Sequence, residues 1–153
     1  MQTNQLPGQA PTAARNLKLY RVTEEFGNDW VLLEVDLDKL TAERAGLITE
    51  FWSDTNSFLE LEDGDVVRAV VRLFGMWMIS TMINQGGAGF GPNTTSPDGD
   101  PHPGQLWSAD MHDQEGWGGH DNGDPYGWCG IRCIGASVAP INYDSVTLAE
   151  VGA

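Results

Sequence analysis

The chain predicts a single small α+β domain: a mainly antiparallel sheet made of two hairpins, packed against two α-helices, with a long irregular segment rich in Gly, Asp and Trp. Three observations carry that prediction. Apolar residues alternate with period two near both ends of the chain, helical spacing governs two stretches between them, and 153 residues is an ordinary length for one domain. Strands, then helices, then strands suit a layer in which one sheet face is buried under helices. The strand order does not follow from the sequence.

Residues 1–16 combine Gln, Asn, Pro, Thr and small residues without periodicity and read as a disordered tail, so the domain is 17–153. Tyr20 and Val22 alternate with polar neighbours, Gly27 and Asn28 signal a turn, and Val31, Leu33 and Val35 alternate with Leu32, Glu34 and Asp36. This is a β-hairpin with one core face and one acidic face. Thr41 is a plausible N-cap for a helix over 42–53, whose buried side would hold Leu40, Leu47, Ile48, Phe51 and Trp52 and whose far side shows Glu43, Glu50 and Asp54.

Asp63 or Asp65 can cap a second helix running to about Asn84, stopped by Gly86 and Gly87. Past Arg72 this helix is apolar nearly all round and must be covered on two sides. The sheet and the following Trp-bearing segment are the preferred covers, and a second copy of the chain meeting Met76, Trp77 and Met82 is the alternative. Gly75 would permit close approach of a neighbour. Without Arg68 and Arg72 the apolar run shrinks to 73–83, shorter than the roughly 20 residues that cross a bilayer, so it reads as a core helix.

Residues 86–130 change to Gly, Pro, Asp, His and Trp, with at most one short helix near 105–112. A connection this long is uncommon in a compact domain unless it is functional or disordered. Trp107, Trp117 and Trp128 argue against simple disorder and suit a lid on the second helix. Strand character returns at 130–138, a turn follows at 140–143, and 145–151 continues with Val146 and Leu148, the second expected hairpin.

Charge sets the broad functional class. Asp and Glu number 22 against 8 Lys and Arg, a formal net charge of -14. The excess sits in two blocks: residues 24–65 hold thirteen acids against Lys39 and Arg44, and 98–124 hold seven acids and no Lys or Arg. Such a surface repels nucleic acid and anionic membranes and attracts basic proteins. The start of the chain has neither the basic nor the apolar region of a signal peptide, and two cysteines make no disulfide framework, which points to the cytoplasm.

Chemical motifs are weak. His102, His112 and His120, with Asp110, Asp113, Asp121 and Asp124, are ligand types for zinc and similar ions, yet spacings of ten and eight match no ligand signature. An EF-hand starting at Asp121 would put Arg132 where a bidentate Glu is required. Cys129 and Cys133 in one strand would be about 13 Å apart, beyond disulfide reach, and read as buried free thiols. Ser137 lacks the second Gly of a nucleophile elbow, and the glycines at 87, 89 and 91 follow a helix without a Lys, unlike a phosphate loop. No cofactor is expected.

A binding protein fits better than an enzyme. The acids Glu43, Glu50 and Asp54 stand about 10 Å and 6 Å apart along one helix face, a spacing comparable to successive phosphates, so this face could imitate nucleic acid to a basic groove. With Asp110, Asp113, Glu115, Asp121 and Asp124 around Trp117, they form the expected partner-binding set, in which tryptophan anchors and charge speeds encounter. A metal-dependent enzyme built on the three histidines, or a structural homodimer, is the alternative.

LYRVT at 19–23, VLLEV at 31–35, LT at 40–41 with FWS at 51–53, and EGW at 115–117 before GIR at 130–132 resemble an uncharacterised family of small proteins carried by phages, plasmids and integrated elements of Gram-negative bacteria. The resemblance spans about 17–151, and the stretch 98–124 is longer than that family's pattern. It implies accessory cargo of a mobile element, where small acidic inhibitors of host defence, anti-CRISPR proteins among them, recur in the host cytoplasm. It brings no catalytic residues.

Overall fold

A computed structural model describes residues 15–25, 27–52, 55–140 and 146–152. The expected tail at 1–14, Asp54 and most of the turn at 140–143 lie outside the described residues. The fold is α+β. Its elements in chain order are β1 (Leu17–Thr23), β2 (Trp30–Asp36), α1 (Ala42–Phe51), α2 (Thr55–Leu61), α3 (Val66–Asn84), β3 (Ala88–Phe90), α4 (Pro103–His112) and β4 (Ile131–Val138). The four strands form one antiparallel sheet in the order β1-β2-β4-β3.

Alternation places the first hairpin correctly: Val31, Leu33 and Val35 are fully buried, and Tyr20 and Val22 pack against the same core. Both helix caps are those the sequence marks. Thr41 Oγ1 accepts from the Arg44 N–H at 3.2 Å, and Asp65 Oδ1 accepts from the Arg68 N–H at 3.1 Å. Each satisfies an amide that the first turn leaves without a carbonyl. Arg15 and Asn16, expected in the tail, are tied to the fold: the Asn16 carbonyl accepts from the Leu37 N–H, and Arg15 pairs with Asp36.

The second hairpin is where the expectation and the structure part. β4 forms, but residues 146–152 are exposed and not in a strand. Both sides of β4 are already taken. β2 lies along one, and β3 pairs along the other only at 136–138, after which α4 takes over. Ser108 Oγ accepts from the Cys133 N–H at 2.8 Å and donates to the Gly104 carbonyl at 2.6 Å, while His112 Nε2 donates to the Ile131 carbonyl at 2.6 Å. Helical side chains thus complete the edge that a short strand leaves open, because buried backbone groups need partners.

α3 is covered on two sides, as its composition requires. Its length and mean hydropathy of 1.6 would suffice to cross a membrane, yet half of that window is buried inside this fold. Val70, Leu73, Phe74, Met78 and Met82 are buried in the core that the sheet shares. On its other flank Trp117 meets Phe74 edge-on at 5.0 Å, and Trp52 lies 5.2 Å from Trp77 and 5.8 Å from Trp117. Stacks of this kind contribute about 0.5–1.5 kcal/mol each beyond their buried area. Of the expected homodimer face, Met82 is in the core and Trp77 is partly covered, which leaves Met76 as its exposed member.

Gly75 lets α3 pack closely on β1: a Cβ there would lie 2.4 Å from Val22 Cγ2. Gly46, on α1, has open space around the same position. Gly75→Ala is therefore expected to destabilise by about 1–3 kcal/mol through overpacking. Gly46→Ala should stabilise by about 0.5–1 kcal/mol through lower backbone entropy in the unfolded chain. Urea unfolding of both variants checks the pair, and equal effects at the two sites would contradict the packing described.

Candidate functional site

The outer face of α1 carries two exposed acids, Glu43 and Glu50. Ala45 and Ile48 point into the core, while Glu43, Leu47, Glu50 and Phe51, at spacings of four, seven and eight, share the solvent side. Leu47 and Phe51 were expected inside and are instead 54% and 53% exposed. Trp52, one residue later, takes the inward place and stacks on Trp77 and Trp117, so the helix turns its remaining apolar pair outward. Arg44, the sole base of α1, is drawn away from this face. Its Nη1 donates to the Trp128 carbonyl at 2.7 Å and its guanidinium sits 4.6 Å from the Trp128 ring centroid.

Chain distant in sequence extends the same surface. Gly116 runs so close beneath α1 that a Cβ on it would lie 2.5 Å from Phe51 Cδ1 and 2.7 Å from Trp52 Nε1, and its φ of +95° favours glycine. Exposed Glu115 is thereby set beside the C-terminal end of α1. The result is an apolar pair, Leu47 and Phe51, bordered by Glu43, Glu50 and Glu115. Asp54 lies outside the described residues.

Other members of the expected set are placed elsewhere. Trp117 is fully buried and serves the core, so it offers no contact to a partner. Asp124 is bonded to Arg15 and Lys39 at 3.1 Å each, and Asp121 to Lys39 at 2.8 Å. Burial opposes ionisation of Asp124, but the Tyr126 N–H and these two cations outweigh it and hold its pKa below the ordinary value. Its charge is spent inside the molecule. Asp110 is exposed on α4, and Asp113 is 3.5 Å from His120 at a well-solvated position.

The three histidines do not converge as ligands. His102 caps α4 by accepting the Gly104 N–H on Nδ1 and meets the Gly91 carbonyl through Nε2. His112 is buried against β4, and His120 lies at the surface beside Asp113. Among the described residues, no group of three or more His, Cys, Asp or Glu is placed to hold a metal ion. Cys129 and Cys133 are buried free thiols whose pKa burial pushes up to about 12, which suppresses the nucleophilic thiolate.

One polar cluster escaped the sequence reading. Glu34 and Arg132 face each other across β2 and β4, with Arg132 Nε and Nη2 at 2.9 and 2.6 Å from Glu34 Oε1, and Tyr126 Oη donates to the same oxygen. Burial would raise the Glu34 pKa, but the hydrogen bonds from Tyr126 and Arg132 prevail and lower it. The guanidiniums of Arg15 and Arg132 both lie over the Tyr126 ring, 4.7 and 4.8 Å from its centroid. Opposite charges on facing strands were the available signal, but it required the β2-β4 pairing.

A family model described as protein of unknown function (DUF2528) matches residues 30–148. The chain belongs to this family. The match starts at the first residue of β2 and includes α1, the Trp117 core and β4, while β1 precedes it. No curated protein and no solved structure matches the chain.

His112 makes acid stability testable. Desolvation lowers its pKa below the ordinary 6.5, and the nearby His120 adds to this against the Ile131 carbonyl, which raises it. Below about pH 6.5 the unfolded chain takes up a proton that the folded chain does not. This contribution is thus complete above the unfolded pKa and is lost as pH falls through the folded one. His112→Gln, which keeps a donor for Ile131, is expected to flatten the dependence of the urea midpoint between about pH 7 and pH 5. An unchanged slope would remove His112 as its source.

Proposed function

We propose that this chain is a non-enzymatic acidic binding protein that docks through the outer face of α1 onto a basic surface of another protein. The observation that carries the reading is the exposed pair Leu47 and Phe51 bordered by Glu43, Glu50 and Glu115, with Arg44 turned inward. Exposed aromatic and aliphatic side chains supply the contact that persists once water is excluded, while surrounding carboxylates steer a cationic target and reject anionic ones. The net charge of -14 extends that steering over the whole molecule.

Glu43 and Glu50 are seven residues apart, about 10 Å along the helix, which suits a groove that otherwise holds phosphates. The target in this reading is therefore a nucleic-acid-binding protein. The setting implied by the sequence resemblance makes it a component of a bacterial defence complex, blocked in the host cytoplasm by an anti-CRISPR-like inhibitor from a mobile element.

Pull-down from a Gram-negative host lysate, with mass spectrometry at low and high salt, tests the reading. A basic nucleic-acid-binding protein should be retained at low salt, released at high salt as charges are screened, and displaced by competing DNA. The variant Glu43→Lys, Glu50→Lys, Glu115→Lys should lose that protein by roughly tenfold or more, since several charge contacts reverse together. Equal retention of the partner by wild type and variant would sink the proposal.

A further inference from the structure

β1 is an open edge of the sheet, and among the described residues no backbone hydrogen bond reaches it from its outer side. A groove follows that edge between β1 and α3, and its character changes along its length. At the Thr23 end is an apolar hollow of about 410 Å³, walled by Val22, Phe58, Met76, Ile79 and Ile83. Toward Tyr20 it continues into a charged hollow of about 300 Å³ bearing Arg68, Arg72 and Glu62. The guanidinium of Arg68 and the ammonium of Lys18 both lie over the Tyr20 ring. The groove is thus mainly apolar at one end, which Glu24 and Arg72 also line, and charged at the other, where Glu62 pairs with Arg68 and Arg72 and Lys18 adds a further cation.

The C-terminal segment is its counterpart. Val146, Leu148 and Val151 are 62%, 99% and 90% exposed, an unusual display for three branched apolar residues. In extended conformation Val146, Leu148 and Glu150 fall on one side and Thr147, Ala149 and Val151 on the other. Laid antiparallel to β1 from the Thr23 end, this strand puts Val146 and Leu148 over the apolar hollow and carries Glu150 toward Arg68 and Lys18. Val151 then adjoins Leu17 and Leu19, which are exposed on the opposite face of the sheet. A parallel strand would send Glu150 to the apolar end.

We infer that residues 146–152 of one copy add as a fifth strand to β1 of a second copy, in a reciprocal exchange that makes a homodimer. Segment and groove are complementary but apart in the single chain, for the groove walls contain no residue beyond 84. Where the described chain leaves β4, Pro140 lies beside Gly87, a Cβ on which would be 2.8 Å from Pro140 Cδ, and the Ala139 N–H is held by Asp29 Oδ1 at 3.0 Å. Each copy offers one strand and one edge, so mutual exchange closes as a two-fold pair and leaves neither unpaired. Lys18 and Arg21 on the open edge discourage neutral strands and favour one that carries an acid.

Light scattering on size-separated protein over a dilution series tests this with the full chain, a chain ending at Asp144, Leu148→Asp and Met76→Asp. The full chain should be dimeric at micromolar concentration, and each alteration should raise the dissociation constant by roughly tenfold or more. Leu148 is almost fully exposed, so its replacement does not threaten the monomer. Mixing Leu148→Asp with Met76→Asp should restore a dimer, because one sound strand then meets one sound groove. Dimerisation should strengthen with salt, since two copies of charge -14 repel until screened. That trend is opposite to the one expected for a basic partner on α1, and it uses different residues, so either reading can fail alone. A full chain that stays monomeric at every concentration, or a dimer that survives loss of the segment, overturns the inference.

Discussion

The cover over α3 is the constraint on which the other parts depend. A helix that buries Val70, Leu73, Phe74, Met78 and Met82 cannot leave its flanks to water, and the sheet can reach only one of them. The other is closed by rings from two unrelated places, Trp52 after α1 and Trp117 in the irregular segment, which meet over Phe74 and Trp77. This junction draws Gly116 under Phe51 and Trp52 at the end of α1, and with it the neighbouring exposed Glu115. A core requirement has set the geometry of a surface.

The same junction explains how a segment rich in glycine keeps one course. α4 is held to β4 by Ser108 and His112, Trp117 is locked in the core, and Asp121 and Asp124 are tied down by Lys39 and Arg15. Three kinds of anchor thus act within about twenty residues of chain, a density typical of ordered irregular structure that carries contacts rather than of a free linker. The acids divide accordingly. Those of the irregular segment that meet Lys or Arg serve the fold, and those of α1 remain available to solvent.

Much of the architecture was legible because it rests on local signals. The alternation of Val31, Leu33 and Val35, the caps Thr41 and Asp65, and the apolar length of α3 each reflect a preference that neighbouring residues satisfy by themselves. The reading of α1 went astray at Leu47 and Phe51, whose spacing suits a buried stripe as well as an exposed one. Which stripe turns inward depends on Trp52 finding Trp77 and Trp117, and that is a long-range event. The strand pattern at 146–151 was likewise sound as local periodicity, yet β4 had no free side to offer it.

The sequence by itself determined an α+β domain with a strongly acidic exterior and a helix needing two covers, because composition and periodicity act through nearest neighbours and total charge. Only the tertiary structure decided that Trp117 is core, that Asp124 is paired with Arg15 and Lys39, that His112 completes the edge of β4, and that Glu115 follows Gly116 to the end of α1. Those outcomes depend on residues tens of positions apart sharing a few ångströms of space, and no local preference encodes that coincidence.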